Sequence, residues 1–82
     1  SNLVRGIEQG VYRKDIDPEI LSRFRLETSF VPFNAQLYPL SKFDIGKVNI
    51  QIVEHFVYGV MSLAGLTLME KYKAEKLLIV NN

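Results

Sequence analysis

Apolar positions from Ile45 to Lys73 recur at helical spacing, and no proline interrupts them. The pattern predicts one long helix over 45–73, about 42 Å at helical rise. Ile45, Val48, Ile52, Phe56, Leu63 and Leu66 form one stripe, with Gly59 bridging its gap. Ile50, Val53, Val57, Val60 or Met61, Ala64 and Leu68 form a neighbouring row. A surface helix usually carries a single apolar stripe. Two rows predict cover from two directions, more than the remaining chain can supply. Upstream, Leu3, Val4 and Ile7 share a face and predict a short helix, with Gly10 at the position after it. Asp17-Pro18-Glu19 is a helix start: a capping aspartate, a proline whose missing N–H costs nothing, and an acid at the positive end of the dipole. Ile20, Leu21, Phe24 and Leu26 are the apolar set of the helix that follows. Pro32 should kink or end it, with a kink near 28–32 and a ragged continuation to about Leu37. Residues 38–44 read as a loop, with Ser41 or Asp44 capping the long helix. The fold class is therefore all-α: a short helix plus a helical hairpin. The pattern leaves the tail from Ala74 to Asn82 undefined, either a last helical turn or a docked extended segment.

Composition sharpens the question of cover. The chain has 82 residues, one domain at most, and 48% of them are hydrophobic, including five Phe and four Tyr. A chain this small buries only about 60% of its unfolded surface. A partner chain or an adjoining segment is expected to cover the excess. Net charge is +1, with no basic block to mark a nucleic-acid surface. The absence of cysteine excludes disulfides and thiolate chemistry. No apolar run reaches the ~18 residues of a transmembrane helix, and no signal peptide is visible. Ser1-Asn2 resembles the scar of a removed expression tag, which predicts a chain cut from a longer one.

Candidate chemistry is sparse. His55 is the single histidine. Glu54-His55 lacks the second half of a zinc-protease motif, so His55 reads as a packing or interface residue. Asp15 and Asp17 read as a turn and a cap rather than a cation site. Gly6 and Gly10 lack phosphate-loop spacing, and the serines sit in no nucleophile motif. No catalytic residue, metal ligand or cofactor is predicted, and the chain does not read as an enzyme. Two features favour association instead. Gly59, Ser62 and Gly65 recur at three-residue steps, a ridge that lets another helix come close. Phe24, Phe30, Phe33 and Tyr38 cluster around the proline and could line an apolar pocket.

The stretch Gly6-Ile-Glu-Gln-Gly10-Val-Tyr12-Arg13-Lys-Asp15-Ile-Asp17-Pro18, followed by Glu54-His55-Phe56-Val-Tyr58-Gly59 and then Gly65-x-x-Leu68-x-x-x-Tyr72, resembles the C-terminal domain of tetracycline-repressor-like (TetR family) transcriptional regulators of bacteria. The resemblance spans about Leu3 to Lys73. It implies that the last two long helices pair with those of a symmetry mate as a four-helix homodimer interface. It also implies that a DNA-reading helix-turn-helix lies outside this sequence, that a small, often apolar, effector controls it, and that the protein is cytoplasmic. On that basis Phe24, Val31, Ile52, Phe56, Gly59, Val60, Leu63 and Leu66 are expected at the subunit contact. Tyr12, Phe30 and Phe33 are expected at the pocket wall. A self-associating helical adaptor with no ligand or DNA role would carry the same amphipathic pattern.

Overall fold

The computed structural model describes residues 2–81, and side chains over residues 2–77. Four α-helices occur in the order α1 (Asn2–Glu8), α2 (Pro18–Thr28), α3 (Ile45–Val60) and α4 (Leu63–Asn81), with a 3₁₀ turn at Val31–Phe33. Among the described residues the remaining pairing is one antiparallel bridge between Tyr12 and Met61. No helix there is long and apolar enough to cross a membrane. The chain divides into two compact units, Ser1–Asp15 with Val60–Asn82, and Ile16–Gly59.

In the first unit, α1 ends where Gly10 adopts φ 78°. The Gly10 N–H donates to the Ile7 carbonyl and the Val11 N–H to the Gly6 carbonyl, each at 3.0 Å. This is the paired closure that a left-handed residue after a helix allows. It turns residues 11–13 into an extended segment running beside residues 60–62. The Arg13 N–H donates to the Val60 carbonyl at 2.8 Å, and the Ser62 N–H to the Val11 carbonyl at 3.0 Å.

Those two bonds correct the expectation of a continuous helix over 45–73. A helix running through this point would use the Val60 carbonyl and the Ser62 N–H internally. Here the 11–13 segment takes both. Serine readily trades helical backbone bonds for local side-chain ones, and Ser62 instead begins α4. Its Oγ accepts the Gly65 N–H at 3.0 Å, and its carbonyl accepts the Leu66 N–H at 2.9 Å. Leu63 and Leu66 therefore do not share a helix with Ile52 and Phe56. The tail continues α4 to Asn81, although side chains from Leu78 onward lie outside the described ones.

The second unit begins as the sequence predicts. Asp17 caps α2, its Oδ1 accepting the Glu19 and Ile20 N–H groups at 2.9 and 3.2 Å, with Pro18 as the first helical residue. Asp17→Ala should cost about 1 kcal/mol, a fall of about 4–8 °C in a thermal melt. Glu19 and Arg23 form the expected exposed pair at 3.2 Å. The helix does not bend and continue past Pro32. It stops at Thr28, where the Thr28 and Ser29 hydroxyls donate back to the Arg25 and Leu26 carbonyls at 3.0 and 2.6 Å. These bonds close the last turn before the residues that precede proline. Pro32 then lies buried in the 3₁₀ turn. Residues 34–37 form a turn rather than a helix, because Asn34 Oδ1 accepts the Gln36 and Leu37 N–H groups at 3.0 and 3.2 Å. Of the two possible caps for α3, Asp44 is the one used: its Oδ1 accepts the Lys47 N–H at 3.0 Å.

Residues of both apolar rows of α3 are covered. Val48 and Val60 are buried, and Ile45, Ile52, Val53, Phe56 and Val57 are half-buried. Ile50, from the neighbouring row, is exposed. α4 spreads its apolar residues round its circumference, leaving Leu63, Leu68, Tyr72 and Leu77 in solvent.

Candidate interaction surface

In the first unit, the residues from Gly6 to Asp15 build a clasp. The Tyr12 ring lies so close to Gly6 that an added Cβ would overlap it. Arg13 grips Asp15 with two bonds, Nε to Oδ1 at 2.9 Å and Nη2 to Oδ2 at 2.7 Å. Hydrogen bonding to Arg13 holds the Asp15 carboxyl below the usual carboxylate range, and the same bond raises the Arg13 guanidinium. Both side chains are largely exposed, so the pair shapes a turn more than it stabilises the fold. Ser62 Oγ donates to the Gly10 carbonyl at 2.6 Å. Gly65 lies against the Val11 backbone, where a Cβ would overlap the carbonyl oxygen. The ridge of small residues thus has a use within the chain at Ser62 and Gly65. At Gly59 an added Cβ would meet nothing within 4 Å.

The residues expected at a subunit contact divide between the two units. Phe24, Val31, Ile52, Phe56 and Gly59 belong to the second, and Val60, Leu63 and Leu66 to the first. Phe24 is exposed and stacks on Phe56 with ring centroids 6.5 Å apart and an interplanar angle of 28°. The Arg25 guanidinium carbon lies 5.9 Å from the centroid of the same Phe56 ring. Val31, Ile52, Phe56 and Leu66 are half-buried, and Gly59 is exposed. Val60 is only 3% exposed and is already covered in the single chain, whereas Leu63 is 81% exposed. Of the expected pocket residues, Tyr12 belongs to the first unit, and Phe30 and Phe33 to the second. Phe30 and Phe33 stand in solvent, Phe33 at 68% exposure. His55 is exposed. Among the described residues no three His, Asp or Glu side chains gather as a metal ion would need.

A concavity that the sequence pattern did not single out lies at the start of α3. It has a volume of about 230 Å³ and is lined by Tyr38, Phe43, Lys47, Val48, Gln51 and Ile52. Tyr38 and Phe43 meet edge to face, with ring centroids 5.4 Å apart. Lys42 Nζ lies 5.6 Å from the Phe43 ring centroid. The Asx turn at Asn34 and the Asp44 cap fold residues 34–44 so that Tyr38 and Phe43 reach this groove with the first turns of α3. Such chain reversals leave their signal in Asn34, Pro39 and Asp44, but not in hydrophobic periodicity.

The arrangement defines an all-helical chain with many exposed large apolar side chains. No family model matches the chain, and no curated protein or solved structure gives a match to it.

Proposed function

We propose that this chain is a self-association module, specifically the dimerisation and effector-binding part of a tetracycline-repressor-like transcriptional regulator. The observation that carries the first half is the balance of apolar burial. Among the described residues Leu3, Val48 and Val60 are the buried hydrophobic side chains besides Pro32. Among the same residues fourteen large hydrophobic side chains are exposed, including Phe24, Phe30, Phe33, Leu63 and Tyr72. Exposed apolar side chains in such number point to an interaction site, and a second copy is the cover proposed here. The second half rests on the motif order from Gly6 to Tyr72. In this reading DNA is contacted by a helix-turn-helix outside the given sequence. An effector acts by favouring one spacing of the paired DNA-reading heads over another.

Gly59→Leu tests the subunit contact. An added Cβ at Gly59 meets nothing within 4 Å, and helix content by circular dichroism is expected to be unchanged. The sedimentation coefficient should fall from that of a dimer to that of a monomer. A wild-type chain that sediments as a folded monomer at tens of micromolar would refute the association reading, whatever the variant does.

A further inference from the structure

The break between α3 and α4 is imposed from elsewhere in the chain. Helix flanks it on both sides, α3 to Val60 and α4 from Leu63, and no proline lies between Ile45 and Lys73. The residues outside the helices, Met61 and Ser62, are held by the 10–13 segment. Tyr12 pairs with Met61, and the Arg13 N–H donates to the Val60 carbonyl. The Ser62 N–H and hydroxyl donate to the Val11 and Gly10 carbonyls. In a continuous helix the Val60 carbonyl would instead accept the Ala64 N–H, and the Ser62 N–H would donate to the Tyr58 carbonyl. The Gly65 N–H, now capped by Ser62 Oγ, would donate to the Met61 carbonyl. Each such bond is worth only about 1 kcal/mol net, so trading one set for the other is close to balanced. The close fit of Tyr12 on Gly6 and of Val11 on Gly65 tips it toward the clasp.

We propose that residues 10–13 are a latch: when they leave, Met61 and Ser62 turn helical, and α3 and α4 become one helix. Ile52, Phe56, Leu63 and Leu66, now divided between two helices, then fall within about 80° of one another around a single axis. The latch decides whether that stripe exists as one surface. Two packings of one segment that differ by a few kcal/mol make a two-state element. The inference concerns one chain and needs no partner, so it and the association reading can fail separately.

Two variants spring the latch without touching α3 or α4. Gly6→Ala places a methyl where the Tyr12 ring lies, and it favours α1 as a helix. Arg13→Pro removes the N–H that donates to Val60. Both are followed by NMR of the ¹³C,¹⁵N-labelled chain. The wild type should show a cross-peak between the Tyr12 and Met61 α-hydrogens, which face each other closely in a pair of this kind, and non-helical Cα shifts at Met61 and Ser62. In the variants the cross-peak should be lost. The Met61 and Ser62 Cα shifts should move to helical values, and Hα to H–N peaks three residues apart should run unbroken from Val57 to Leu66. The proposal is overturned if a variant that loses the cross-peak keeps Met61 and Ser62 non-helical, or if neither variant loses it. It is equally overturned if both variants lose amide dispersion throughout, because the helices then depend on the clasp and cannot join without it.

Discussion

Gly65→Ala is expected to destabilise the chain by about 2–3 kcal/mol, although helix propensity alone points the other way. Gly65 is the third residue of α4, and alanine in a helix interior is favoured over glycine by about 1 kcal/mol. The space decides the sign. A Cβ at this position would overlap the Val11 carbonyl oxygen and come within 3.0 Å of the Val11 carbonyl carbon. The Val11 backbone cannot swing aside as a long side chain would, because its carbonyl accepts the Ser62 N–H and its own N–H donates to Gly6. Overpacking a fixed site typically costs 1–3 kcal/mol, and the strained bridge weakens as well. For a domain of this size the expected fall is about 10–20 °C in the thermal midpoint. Gly59→Ala is the matched control: the same exchange, late in α3, with nothing within 4 Å of the new methyl. It should leave the midpoint unchanged or raise it slightly. Equal midpoints for the Gly65 and Gly59 variants would show that the 11–13 segment does not press on α4 as described.

Gly65 also illustrates where sequence reading reached and where it stopped. Local signals were legible. Asp17 and Pro18 start α2, Gly10 closes α1 with a positive φ, and Asp44 starts α3, each through bonds spanning only a few residues. The all-helical class followed from the same patterns. The break at Met61-Ser62 was not legible, because its cause lies about fifty residues away. Periodicity through 45–73 is consistent with one helix, and only the pairing of Tyr12 with Met61 divides it. Ser62 between Gly59 and Gly65 was the available clue, a capping residue among poor helix formers, but it was equally consistent with a ridge for another helix. The expected subunit-contact set is affected for the same reason. Six of its members lie in the predicted 45–73 helix, and the break places Leu63 and Leu66 on a different helix from Ile52 and Phe56. Lys47 belongs to neither apolar row of the 45–73 pattern. Its place beside Tyr38 and Phe43 depends on the reversal at 34–44, which no helical pattern encodes.

Ser62→Ala should be comparably damaging, for a different reason. The hydroxyl does two things at once. It accepts the Gly65 N–H at 3.0 Å, capping α4, and it donates to the Gly10 carbonyl at 2.6 Å across 52 positions of sequence. Loss of a serine cap costs about 1 kcal/mol. Leaving the half-buried Gly10 carbonyl without this donor adds about 1–2 kcal/mol, for a total of about 2–3 kcal/mol. Ser62→Thr retains the hydroxyl and should recover most of the loss; Ser62→Gly, a tolerable cap without a donor, should recover only the capping part. The order wild type, threonine, glycine, alanine in urea midpoint is therefore the expected result. Hydrogen exchange separates the two contributions. Loss of the cap alone would speed exchange in the first turn of α4, whereas loss of the Gly10 bond would also expose the Arg13 N–H, which donates to Val60. If Ser62→Ala speeds exchange in α4 and leaves Arg13 protected, the long-range bond contributes nothing, and the clasp is held by its backbone bridge alone.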